Sequence, residues 1–154
     1  MLLNTAAAVI SFLSKIEEET AKFYEKMAQK YPEVKETFTY FSKDNQKNKT
    51  LMERAYYGVI TDAIEACFSF KEGLNSDSYK VRTAIAEDAS CTEALKIALE
   101  IEETIRKAYI DAAALSEALM ADVPQTFKKI AQKRDDRIVK LKTLIKNLEH
   151  SSSL

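Results

Sequence analysis

The 154-residue sequence predicts an all-α protein, an up-down bundle of four helices, on three observations. Two glycines and two prolines leave few positions where the chain can reverse, far fewer than a sheet-rich fold needs. Apolar residues recur at spacings of three and four over long stretches. Apolar residues at 46% and charged residues at 31% describe a globular chain and not a disordered one. The length suits one domain over residues 1–150, with 151–154 as a disordered tail. A chain of this size buries roughly 70% of its unfolded surface, enough for a proper core.

The first helix is expected from about 4 to 30, where Val9, Leu13, Ile16, Thr20, Phe23 and Met27 share one side. Pro32 suits the first turn of a second helix that carries Phe38, Phe41, Met52 and Ala55. One helix over 33–72 would be roughly 60 Å long, too long for the bundle, so a break is expected at Gly58 to Asp62. Gly73 to Ser78 reads as a loop, and Tyr79 to Asp88 as a short extra helix. Ser90 or Thr92 caps a third long helix reaching about Met120. Asp122 and Pro124 open a fourth that ends near Leu148.

Composition removes several functions. A formal charge of -1 gives no basic surface for nucleic acid or an acidic membrane. Cys67 and Cys91 form no CxxC pair, so neither a zinc ribbon nor a rubredoxin-type iron centre can be built. Cys67, beside Ile60, Ile64 and Phe68, reads as a buried thiol. Met1 to Leu13 does not read as a signal peptide, and no apolar run is long enough to span a membrane, so the cytoplasm is the expected compartment. No Gly-rich nucleotide loop, catalytic triad or HExxH is present. The one histidine, His150, falls near the expected frayed end.

An internal repeat runs through the pattern. Ile16 to Tyr24 (IEEETAKFY) aligns with Ile101 to Tyr109 (IEETIRKAY), with identity at the Ile, Glu, Glu, Lys and Tyr positions. Thr37-Phe38 and Phe41 align in turn with Thr126-Phe127 and Ile130. The order of features matches as well as the residues, as a duplicated helix pair joined by a long crossover would give.

Each long helix also carries polar residues on its apolar stripe. Glu17 shares a face with Leu13, Ala21 and Tyr24, and Glu102 shares one with Ala98, Ile105 and Tyr109. The second stripe reads Phe38, Phe41, Asn45, Asn48, Met52, and the fourth reads Phe127, Ile130, Arg134, Arg137, Leu141. These six polar groups point to one level of the interior, where a lone charge would cost several kcal/mol, so they must answer one another or a ligand.

On these residues the chain resembles the rubrerythrin-like branch of the ferritin-like superfamily over about residues 5–149. In that family the first and third helices carry Glu-x6-Tyr, which Glu17 with Tyr24 and Glu102 with Tyr109 match. Its second and fourth helices carry Glu-x2-His, and the six residues together hold a di-iron centre. Here Asn45 and Asn48 stand after Phe41, and Arg134 and Arg137 after Ile130, so four of the six ligand positions are substituted. The resemblance implies a ferritin-like bundle, and it places the Phe68, Phe70, Leu74 cluster in the family's crossover segment, which packs across the bundle or against a partner chain.

The substitutions change the chemistry. Two carboxylates, two amides and two guanidiniums sum to zero without metal, and Arg has no lone pair to offer. The expected function is therefore that of a non-redox structural or small-ligand-binding protein with a degenerate di-iron site and no cofactor. In one version Glu17 and Glu102 pair with Arg134 and Arg137, while Asn45 and Asn48 complete the hydrogen bonds. In another the two Arg and two Asn hold a small anion or an organic molecule, with Tyr24 and Tyr109 as walls. The resemblance leaves an enzyme reading open, a di-iron peroxide reductase or ferroxidase keeping Glu17 and Glu102 as metal ligands. A homodimer is expected, with Met52, Tyr56 and Tyr57 as candidate contact residues. Met52 also reads as core filling, and Lys43 to Lys49 as a solvated face.

Overall fold

The computed structural model describes residues 1–57, 69–117 and 122–152. Four helices make up most of them: α1 (Ala6–Lys30), α2 (Lys35–Tyr57), α3 (Cys91–Ser116) and α4 (Asp122–Ser152). Helix α1 packs most extensively on α2, and α3 on α4; the two pairs meet through α2 with α4 and α1 with α3.

The helix ends follow local chemistry. Thr5 caps α1, its Oγ1 accepting the Ala8 N–H at 3.1 Å. The helix stops at Tyr31 because Pro32 restricts the residue before it, and Pro32 then opens a one-turn 3-10 helix (Pro32–Val34) leading into α2. Ser90 caps α3 in a reciprocal box: its Oγ accepts the Glu93 N–H, and the Glu93 carboxylate accepts the Ser90 N–H. Helix α4 runs past Leu148 to Ser152, so His150 and Ser151 belong to it and not to a frayed tail. The expected break at Gly58 to Asp62, the Cys67 environment and Phe68 lie outside the described residues.

The fold is not wholly helical. Strand β1 (Leu2–Thr5) pairs antiparallel with β2 (Ser69–Asn75), aligning Leu3 with Leu74 and Leu2 with Asn75. Leu3, Phe70 and Leu74 are buried beneath this ribbon, against the helices. The expected loop from Gly73 to Ser78 is therefore the end of β2 followed by a 3-10 turn (Ser76–Tyr79). Gly73 needs no side chain here: its φ is +73°, and a Cβ would lie 2.6 Å from the Leu3 carbonyl oxygen.

The short helix expected over Tyr79 to Asp88 does not form beyond that turn; residues 80–90 run as irregular chain. Side chains of the bundle satisfy its backbone instead. Lys30 Nζ donates to the Ala86 carbonyl at 3.2 Å, and the Tyr31 hydroxyl to the Ala89 carbonyl at 2.6 Å. Tyr79 anchors the segment by donating to Asp111 at 2.6 Å. With those carbonyls engaged, the segment has less to gain from a helical ladder.

Two matching aromatic contacts lie inside the bundle. Tyr24 stacks on Phe38 with ring centres 5.5 Å apart, and Tyr109 packs on Phe127 at 6.0 Å. These are equivalent positions of the sequence repeat. Met52 is fully buried among them, which makes it a core residue and removes it from any subunit contact; Tyr57 is exposed.

Candidate functional site

The six polar positions read from the stripes are all buried at one level of the bundle: Glu17, Asn45, Asn48, Glu102, Arg134 and Arg137 are each no more than 3% exposed. Arg134, wholly enclosed, joins the two halves. Its Nη1 donates to both Glu102 oxygens, at 2.9 and 2.7 Å, and its Nη2 donates to Glu17 Oε1. Arg137 donates through Nη1 to Glu102 Oε1 at 3.0 Å. Its Nη2 reaches Asp44 Oδ2 at 2.9 Å and the Phe41 carbonyl at 3.3 Å, with the guanidinium 4.7 Å above the Phe41 ring.

The tyrosines bond crosswise. Tyr24 of α1 donates to Glu102 of α3 at 3.1 Å, and Tyr109 of α3 donates to Glu17 of α1 at 2.7 Å. They act as hydrogen-bond donors to the carboxylates, not as walls of a cavity. Glu102 accepts from both Arg134 and Arg137, so it occupies the space between the guanidiniums.

The asparagines do not bond the carboxylates. Asn45 Nδ2 donates to the Glu17 backbone carbonyl at 3.1 Å and to Thr20 Oγ1 at 2.8 Å. Asn48 Oδ1 accepts from Lys133 Nζ at 2.6 Å, and Lys133 also reaches Asp44 Oδ1 at 2.8 Å. Asp44 and Lys133 are members that the stripe reading passed over. Asp44 lies within the Lys43 to Lys49 run but is only 6% exposed, so that run is not uniformly a solvated face. Its signal was present: Asp44 stands three residues after Phe41 and four before Asn48.

With these two added, three carboxylates (Glu17, Asp44, Glu102) face three cations (Lys133, Arg134, Arg137), and the site remains neutral. Burial pushes the Glu102 carboxyl upward, but the attraction and hydrogen bonds of Arg134 and Arg137 outweigh it and leave its pKa below the ordinary value. Asp44 follows the same balance, with Lys133 and Arg137 as its donors. Burial raises Tyr24 and Tyr109 well above 10, and the adjacent Glu102 and Glu17 charges add to the shift. Both hydroxyls stay protonated, as donors to carboxylates must.

Beside the network, α2 and α4 enclose a groove of about 380 Å³ lined in part by Tyr40, Phe41, Asp44, Lys133, Arg137 and Lys140. Its cations are matched by Asp44, Glu36 and Asp136, so it favours neither sign of ligand. Cys91 at the start of α3 is half-buried, and burial with Glu33 nearby pushes its thiol up to about 11, leaving it unreactive. Among the described residues no group of three or more His, Cys, Asp and Glu could hold a metal ion, and no helix is long and apolar enough to cross a membrane.

Compared with protein-family models, curated proteins and solved structures, the chain matches none.

Proposed function

We propose that this chain is a ferritin-like bundle of the rubrerythrin-like type in which a salt-bridge network stands at the di-metal level, and that it works as a non-redox structural or small-ligand-binding protein. The observation that carries the reading is Arg134, whose guanidinium bridges Glu17 and Glu102 while wholly buried. A divalent ion links helices by drawing carboxylates from each to one positive centre. Arg134 does the same through three hydrogen bonds.

The donor set does not fit a di-iron centre. Both oxygens of Glu102 and one of Glu17 already accept guanidinium protons, and the positions on α2 and α4 supply two amides and two permanent cations. Metal could enter only by displacing Arg134 and leaving a buried cation unpaired, which is strongly unfavourable. The resemblance rests on the Glu-x6-Tyr elements, and the crosswise bonds of Tyr24 and Tyr109 support it by giving both copies the same task. A cytoplasmic homodimer accompanies this reading, with Tyr40, Tyr57 and Val139 as exposed apolar residues available to a second copy.

The test is metal content and the visible spectrum of protein produced in iron-supplemented cells. The expected result is no stoichiometric iron and no oxo-bridged di-iron band. Two irons per chain would overturn the reading in favour of a di-iron oxidoreductase, and sedimentation equilibrium decides the dimer.

A further inference from the structure

Six buried polar atoms have no hydrogen-bond partner among the described residues. Two are Ser14 Oγ and Arg137 Nε; the other four, Glu17 Oε2, Asn45 Oδ1, Asn48 Nδ2 and Arg134 Nε, sit on residues linked to the Glu17–Arg134 pair. These four belong to residues 0 or 1% exposed, drawn from α1, α2 and α4. Observed bonds link their residues to one another across the helices. Asn45 rests on the Glu17 carbonyl, Arg134 on Glu17 Oε1, and Lys133, the neighbour of Arg134, on Asn48 Oδ1.

The amide orientations are decided by their partners. The Thr20 hydroxyl gives its own proton to the Ile16 carbonyl at 2.7 Å, so toward Asn45 it can only accept, and Nδ2 must face it. The Lys133 ammonium has no lone pair, so Asn48 must present Oδ1 to it and turn Nδ2 away. Around the Glu17–Arg134 pair the unpartnered set is therefore two acceptors, Glu17 Oε2 and Asn45 Oδ1, with two donors, Asn48 Nδ2 and Arg134 Nε, while Arg137 Nε is a further unpartnered donor of the same network.

That composition selects a ligand class. A metal cation would meet an Arg N–H and an amide N–H. An anion would meet a carboxylate oxygen and an amide oxygen. A neutral molecule with two protons to give and two lone pairs satisfies all four, and water is that molecule. We infer that this level of the bundle is a binding seat for buried water, which donates to Glu17 Oε2 and Asn45 Oδ1 and accepts from Asn48 Nδ2 and Arg134 Nε. Buried waters in proteins make about three such bonds, so the seat offers enough for one water or a bridged pair.

A crystal structure of the full chain, at a resolution that orders water and with anomalous data at the iron edge, tests it. The expected result is a density peak without anomalous signal, at about 2.6–3.2 Å from Glu17 Oε2 and from at least two of the other three atoms. Absence of a peak there would overturn the seat and leave the metal-free reading standing. A peak with iron signal would overturn both. Magnetic relaxation dispersion of solvent supplies a second readout: Asn45→Leu is expected to lose at least one long-lived water relative to the unaltered chain, and an unchanged count counts against the seat.

Discussion

The Tyr109 hydroxyl donates to Glu17 across the bundle at 2.7 Å, between residues 92 positions apart in the chain. The opposite bond, Tyr24 to Glu102, uses the equivalent residues of the repeat at 3.1 Å. The two halves therefore hold each other through the same pair of side chains, exchanged. Symmetry ends at α2 and α4, where one half supplies Asn45 and Asn48 and the other supplies Arg134 and Arg137.

Replacing Arg134 by alanine leaves the buried Glu17 carboxylate without its cation and Glu102 with Arg137 alone. The expected loss is about 3–5 kcal/mol, the usual consequence of removing one side of a buried ion pair. Urea unfolding at neutral pH measures it. A loss below about 1 kcal/mol would show that Glu17 and Glu102 find other partners.

Tyr24→Phe and Tyr109→Phe each remove a buried hydroxyl that serves a carboxylate. Each is expected to cost about 1.5–3 kcal/mol, since the bonds involve a charged acceptor. The native phenol pKa values lie above the ordinary 10, so their contribution is complete below pH 10 and declines as pH rises above it. Denaturant midpoints between pH 8 and 11 should fall less steeply in the double Phe variant; identical slopes would remove these tyrosines from the alkaline transition.

Acid acts through Glu102 and Asp44, whose native pKa values lie below the ordinary 4.5 and 3.8. A lowered native pKa contributes stability above the unfolded value and loses it as pH falls toward the native one. Chemical denaturation is expected to show a steady decline below about pH 4.5, weaker in Glu102→Gln. If the variant retains the full acid slope, other carboxylates govern it.

Gly73→Ala puts a methyl group against the Leu3 carbonyl at a backbone angle alanine resists. The expected cost is more than about 1 kcal/mol, because β1 must shift and carry Leu3 with it. Thermal melting checks this, and an unchanged midpoint would mean that the β1–β2 pair contributes little to stability.

Local signals made the four helices legible. Apolar spacing, Pro32, the Ser90–Glu93 box and Asp122 act through neighbours within a turn or two, and the helix starts followed them closely. The β1–β2 pair was not legible, because β1 meets a partner about 70 residues away and Gly73 in β2 resembles an ordinary loop glycine until its φ is known. Residues 80–90 escaped for a similar reason: Lys30 and Tyr31, from another element, engage the Ala86 and Ala89 carbonyls.

At the site, the sequence alone determined six of the polar residues that face inward, because helical period assigns a face to each position; it passed over Asp44 and Lys133. It also determined that the charges of those six residues balance. Only the tertiary structure decided who pairs with whom. Arg134 serves both Glu17 and Glu102, Arg137 divides itself between Glu102 and Asp44, and Lys133 fastens Asn48 to Asp44. A guanidinium can meet any carboxylate within its reach. The distances between helices, set by packing of side chains such as Phe38, Phe127 and Met52, determine which ones those are.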